Sequence, residues 1–197
     1  MSRPLAIVLG AIVFAFMSVA FFWIFKLTMA DSMKANMVSP EKVASFIQAI
    51  LEANRNNYTD NVVVKLQKEG IQAHEHWKDE RGVALPAQYL MESGRLVSTK
   101  DLKFSFRLAS LTPIYVWNGP NSDFERIGLA AVEKDPEKPH YGYLTKGGTR
   151  YFQAIYADKA GSQACVDCHN THPNSPRRDF KLNDVMGGIV ITFPVGE

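Results

Sequence analysis

The chain has 197 residues, 22 Lys and Arg against 20 Asp and Glu, a net charge of +2 and two cysteines. That near-balance leaves no basic footprint for nucleic acid, and two cysteines exclude the multi-disulfide framework that staples small secreted domains. With 46% hydrophobic residues the chain is long enough for one domain with a real core.

The N-terminus carries an uncharged run, LAIVLGAIVFAFMSVAFFWIF, over residues 5–25. At ~1.5 Å per residue such a run spans a hydrocarbon layer of ~30 Å. It exceeds the ~7–15 residues of a signal-peptide core, and Thr28-Met29-Ala30 is a poor cleavage site. It also lacks the polar face of a helix in a soluble core. The sequence therefore predicts an uncleaved transmembrane anchor over residues 1–27, a juxtamembrane linker over 28–38 and a single domain over 39–197. Charge does not orient the anchor: Arg3 precedes it, and Lys26 and Lys34 follow.

Ser39-Pro40-Glu41 reads as a helix start, with a hydroxyl cap, a proline in the first turn and an acid at the positive end of the dipole. Val43, Phe46, Ile47, Ile50 and Leu51 continue it as one apolar stripe, suited to a core or to a homodimer seam. Residues 58–67 fit helix or strand, and Gly70 can end them. His74-Glu75-His76-Trp77 and a charged turn follow, then a helix entered through Leu85-Pro86. The second half changes period. Residues 103–108 alternate as a strand, Asn118-Gly119-Pro120-Asn121 is a turn, and Ser122 caps a short helix. Residues 141–144 and 149–157 flank Lys146-Gly147-Gly148 as a hairpin, a loop runs from Asp158 to Asp184, and residues 188–193 form a last apolar strand. Helices followed by an antiparallel sheet with one inserted helix predict an α+β domain.

Both cysteines lie in Cys165-Val166-Asp167-Cys168-His169 within that loop. Cys-x-x-Cys-His is the attachment signature of a c-type haem, in which the thiols form thioethers with the porphyrin vinyls and the histidine supplies the proximal imidazole. A thioredoxin-like dithiol would need a βαβ context, which is not visible upstream. A closed zinc site would need further ligands, and no second Cys-x-x-Cys or His-x-x-x-His pair is present. Covalent haem attachment takes place outside the bacterial cytoplasmic membrane. That reading puts the N-terminus in the cytoplasm and the domain in the periplasm.

The run Cys165-Val-Asp-Cys168-His169-Asn170-Thr171-His172-Pro173-Asn174-Ser175-Pro176 and Asp184-Val185-Met186-Gly187-Gly188 resembles the haem segment of the Tll0287-like domains. Leu85-Pro86-Ala87, Arg107-Leu108-Ala109-Ser110, Phe124-Glu125-Arg126 and Arg150-Tyr151-Phe152 fit the same pattern, so the resemblance covers most of residues 40–195. It implies a PAS-like sheet behind N-terminal helices and one covalent haem c. Relatives of this kind occur as free haem proteins and as extracytoplasmic sensor domains of kinases, cyclases and chemoreceptors. This chain ends at Glu197, so it is expected to carry no signalling module of its own.

The expected site is Cys165 and Cys168 for covalent attachment and His169 for the proximal iron. His76 is the first candidate for the distal iron position, with His140 and Met186 as alternatives and His74 beside them. His172 lies too close to His169 to reach the opposite face, and is expected to bond within its loop or to a propionate. Arg150 and Arg177, with Arg178, are candidates for the propionates, with solvated surface charge as the equal alternative. Trp117, Tyr143, Tyr151 and Phe152 are expected to pack in the core, with packing around the porphyrin as the alternative. No nucleophile–base pair or phosphate loop is evident, so the expected function is not enzymatic. It is electron transfer by a membrane-anchored periplasmic cytochrome, bound to the bilayer by one helix and serving a membrane redox complex or another cytochrome. The alternative is a redox or gas sensor acting through a membrane partner.

Overall fold

The computed structural model describes residues 14, 16–29 and 38–196. The chain divides into two units, Met1–Ser39 and Pro40–Glu197. In the first, residues 16–29 are helical, and Phe16, Phe21, Trp23 and Leu27 are exposed. Residues 1–13 and 15 of the predicted anchor, and residues 30–37 of the linker, lie outside the described residues. Among the described residues no helix is long and apolar enough to cross a membrane.

The second unit opens with helix α1 (Pro40–Tyr58), which carries Glu41 in its first turn and Arg55 in its last, each matched to the helix dipole. The predicted stripe divides in two: Ile47 and Leu51 join Ala44 against the core, whereas Phe46 and Ile50 stay exposed. The ambiguous segment after it is helical. A π-helical turn, Thr59–Val63, leads into α2 (Val64–Lys68), and Gly70 at φ 79° stops it. Helix α3 (Pro86–Ser98) starts at the predicted proline, where the Gln88 side chain accepts the Leu85 N–H at 3.3 Å.

Four strands form one antiparallel sheet: β1 (Ser105–Ala109), β2 (His140–Lys146), β3 (Thr149–Lys159) and β4 (Val185–Pro194), in the order β1-β4-β3-β2. Gly147 and Gly148, both at positive φ, close the two-residue β2–β3 hairpin between Lys146 and Thr149. Two successive positive φ values are what a type I′ turn requires. Helix α4 (Asp123–Lys134) is inserted between β1 and β2, and the Ser122 hydroxyl accepts the Glu125 N–H at 3.2 Å as the predicted cap. The architecture is α+β, as the sequence pattern predicts.

Helices cover both faces of the sheet, and side-chain alternation decides which residue serves which face. On one face Phe106, Phe152, Ala154, Tyr156, Ile189 and Ile191 pack with Ala44 of α1 and Leu90 of α3. On the other, Ala109, Ile155 and Val190 pack with Leu129 and Val132 of α4. The central strand β3 is therefore buried on both sides from Phe152 to Tyr156. Gly94 lets α3 approach β1, since a Cβ there would lie 2.5 Å from the Phe106 carbonyl oxygen.

Two segments that carried the family resemblance meet under α4. Glu125, 4% exposed, accepts from the Arg107 guanidinium and from the Asn121 N–H at 2.6 Å, and Arg107 also donates to the Gly119 carbonyl at 2.9 Å. Replacing Arg107 by Met leaves a buried carboxylate without its counter-charge. The expected loss is about 3 kcal/mol, the range for breaking one side of a buried pair; urea denaturation of the full chain measures it, and an unchanged midpoint would contradict the assignment.

Candidate functional site

The segment between β3 and β4 leaves and returns at neighbouring points, because these strands are paired. Its neck is closed by Ala160 N–H to the Asp184 carbonyl (2.8 Å) and Asn183 N–H to the Ala160 carbonyl (3.0 Å). Within it the structure differs from the predicted loop: Gln163–Thr171 form a helix, α5, which holds the whole Cys-x-x-Cys-His run. Its weak amphipathic pattern hides it in the sequence, since only Val166 is buried. Packing around it supplies what propensity does not. The Asn170 side chain donates to the Phe180 carbonyl at 2.9 Å and accepts the Phe180 N–H at 3.0 Å, tying the helix to the chain that follows it.

Helical spacing fixes the chemistry. Cys165 and Cys168 are three apart, and Cys165 and His169 four apart, so the thiols and the imidazole share one side of α5. Both cysteines are free and partly buried. Burial first, then Glu75 and Cys165, push the Cys168 thiol above its ordinary range, which is the reverse of an activated redox cysteine. Burial pushes the His169 imidazole below the usual histidine range, with Asp158 opposing and His172 adding to it, so the ring is kept in its neutral, ligand-competent form. The His169 Nδ1 is buried without a hydrogen-bond partner, and its ring meets Phe180 edge-on at 5.7 Å. Among the described residues no three His, Cys, Asp or Glu side chains are gathered as a metal-binding group.

A cluster that sequence reasoning missed lies against the Cys168 edge of α5. Glu75 accepts from the Tyr115 hydroxyl, and its carboxylate lies 3.3 Å from His172 Nε2 and 3.2 Å from His76 Nε2. His172 Nδ1 accepts the Asn174 N–H at 3.1 Å, so the neutral ring carries its proton on Nε2 and donates it to Glu75. The Tyr115 hydrogen bond foremost, with His172 after it, holds Glu75 below the usual carboxylate range against the opposing effect of burial. The same bond, followed by burial, pushes Tyr115 up to about 12. Gln88 donates to the Glu75 carbonyl at 2.9 Å and Tyr58 donates to the Ala84 carbonyl at 2.8 Å, so the 71–85 segment is held by α3 and by the end of α1. Glu75 stood beside two histidine candidates in the sequence, but Tyr115 and His172 lie 40 and 97 residues away. No local pattern points to them.

At the other edge, Arg55 of α1 pairs with Asp158 of β3 at 2.6 Å, with both side chains mostly buried. Burial opposes the Arg55 charge, but Asp158, with Cys165 contributing, more than offsets it and the pKa rises. Arg177 packs over Phe180 at 4.3 Å and bridges Asp179 (2.7 Å), Glu133 (3.4 Å) and Asp184 (3.6 Å). Arg178 donates to the Pro173 carbonyl at 3.0 Å. Arg150 is at the far end of β3 from Asp158, roughly 25 Å away at ~3.3 Å per residue, where it stacks on Tyr143.

The distal candidates are spread out. His76 is 64% exposed and paired with Glu75, and His74 Nε2 lies 3.4 Å from the Arg81 carbonyl. His140, paired with Ile155 on the α4 face of the sheet, packs on Phe124 at 4.7 Å. Met186 lines a small cleft with Ser110, Leu129 and Glu133 on that same face. Of the aromatic residues expected in the core, Phe152 is fully buried and Tyr151 half-buried, whereas Tyr143 is half-exposed and Trp117 lies 70% open to solvent.

The family model of the Tll0287-like domains, described as Tll0287, matches residues 29–194. The crystal structure of the cyanobacterial heme-protein Tll0287 aligns over 81% of this chain and 99% of its own, with 12% identity and a TM-score of 0.47. No curated protein matches the chain.

Asn170→Ala removes both bonds to the Phe180 backbone and leaves that N–H and carbonyl without partners. The expected cost is about 2 kcal/mol, read as a lower melting temperature together with faster amide exchange in α5; unchanged exchange would contradict the role given to Asn170.

Proposed function

The chain belongs to the Tll0287-like family, and from that membership and its Cys-x-x-Cys-His helix we propose that it carries one covalent haem c and serves as an electron carrier rather than an enzyme. Cys165 and Cys168 would hold the porphyrin through thioethers, and His169 would ligate the iron from the proximal side. The observation that carries this reading is the shared side of α5: two free thiols and a neutral imidazole at positions i, i+3 and i+4. Bound haem supplies a one-electron iron couple, whose potential the surrounding residues set through burial and hydrogen bonding. The chain's own contribution is a rigid helix, clamped at Asn170 and at His172, that holds the three donors in register.

The same proposal includes the membrane. The uncharged run over residues 5–25 would anchor the chain in the bacterial cytoplasmic membrane, with the N-terminus inside and the α+β unit in the periplasm. Tethering raises its effective concentration near a membrane redox complex or another cytochrome. A homodimer through exposed Phe46 and Ile50 of α1 fits the same placement. A PAS-like reading of the sheet is supported by its last strand lying between the first and the one before it. A second reading, a haem-based redox or gas sensor, is favoured by the placement of His76, which is mostly exposed and tied to Glu75.

Two measurements test these readings. Chain made with a haem-attachment apparatus should keep one haem through acid–acetone extraction. Cys165→Ala and Cys168→Ala should each leave a single thioether, seen as a shifted reduced α-band, and the double variant should lose the haem. Full retention in the double variant would sink the attachment reading. Carbon monoxide added to the reduced protein should leave its spectrum unchanged if the chain is an electron carrier, and a shifted Soret band would transfer the proposal to the sensor.

A further inference from the structure

Trp117 is the feature that the haem reading leaves unexplained. Core packing is the first expectation for it and contact with the porphyrin the alternative; it is 70% exposed, and the neighbouring Val116 is 83% exposed. In the unit Pro40–Glu197 these are the two most exposed large apolar side chains among the described residues. The turn that presents them is firmly held. Ser110 N–H bonds the Asn118 carbonyl at 2.9 Å, Asn118 N–H the Tyr115 carbonyl at 2.9 Å and Gly119 N–H the Val116 carbonyl at 3.0 Å. Arg107 then fixes Gly119 from below at 2.9 Å. A braced turn that holds a tryptophan and a valine open to water presents them to something.

What that is follows from their neighbour. Tyr115 stacks on Trp117 with ring centres 5.2 Å apart and planes 14° apart. Its ring also meets that of His172, three residues past His169, edge-on at 5.9 Å. Its hydroxyl is fixed by Glu75, and Cys168 is close enough to add to the rise in the Tyr115 pKa. The aromatic stack therefore begins at the Cys168 edge of α5 and ends on an open indole. A porphyrin joined to Cys168 is the flat apolar group that such a surface fits, and covalent attachment keeps it there.

We propose that Tyr115, Val116 and Trp117 form an apolar wall of the haem crevice and cover part of the porphyrin held at Cys168. The proposal rests on the haem reading above and assigns it residues outside the attachment motif. Covering the porphyrin excludes water from the iron's surroundings. A drier site disfavours the more highly charged ferric state, so the wall raises the reduction potential.

Hydroxyl-radical labelling of the full chain tests this directly, with Leu102, 62% exposed, as the internal reference. In haem-loaded protein, Trp117 and Val116 should label several-fold less, relative to Leu102, than in the haem-free Cys165→Ala, Cys168→Ala double variant. Trp117 labelling as readily as its exposure alone dictates in the haem-loaded chain overturns the wall, whether or not the haem-free variant folds, and would leave the indole to a protein partner. Independently, Trp117→Ala in haem-loaded protein should lower the midpoint potential and change the Soret circular dichroism, and Trp117→Phe should restore both. A potential and a dichroism that do not move overturn the proposal. Failure of the underlying haem reading has a separate signature, since wild-type chain would then keep no haem through extraction.

Discussion

Two thiols and an imidazole act on one group only if they point the same way, and here the pitch of one nine-residue helix does that. A helix of that length is marginal by itself. It persists because the chain around it is closed at every level. The paired strands β3 and β4 bring the two ends of the excursion together, Ala160 and Asp184 seal its neck, Asn170 binds the returning backbone at Phe180, and His172 reaches across to Glu75. Each bond is worth only about 1 kcal/mol net, but together they turn a weakly amphipathic sequence into a fixed platform.

The opposite wall of the site is built by a different chain of causes. Glu125 is buried beneath α4 and draws in Arg107 from β1 and the Asn121 backbone. Arg107 in turn holds Gly119, which closes the short turn over Val116–Asn118. That turn sets Tyr115, whose hydroxyl finds Glu75. A buried ion pair of this kind contributes little net stability relative to an apolar substitute. Its role is to fix one arrangement of β1, α4 and the loop between them, and the aromatic stack depends on that arrangement.

The sequence carried most of the fold and named the candidate site residues, for physical reasons that also explain the misses. Period-2 alternation marked β1, proline marked the starts of α1 and α3, Ser122 marked α4, and paired glycines marked the hairpin, because each is a local signal with a local cause. Cys165, Cys168 and His169 were legible because their spacing is itself the chemistry. Helix α5 was not, since a single buried residue, Val166, gives it no stripe. Residues 58–67 were ambiguous because three successive valines suit a strand as well as the π-turn and helix that they join. Glu75, Tyr115 and His172 meet only in three dimensions, and the exposure of Trp117 reflects how the turn is braced, which composition does not encode.

The sheet also sorts the candidate distal residues named in the sequence. Asp158 follows Phe152, Ala154 and Tyr156 onto the face covered by α1, where Arg55 meets it and where its charge acts on His169. His140 and Met186 lie on the α4 face, beyond two-sided β3. Drawing His140 out would unpack Phe124 from its ring and open the contact at Gly128, a core disruption of a few kcal/mol. His76 would give up one mostly exposed pair with Glu75, worth at most about 1 kcal/mol. Of the three candidates, His76 therefore moves with the smallest loss of packing. Glu75, which holds His172 of the attachment segment as well as His76, is the point where any such movement would be felt in that segment.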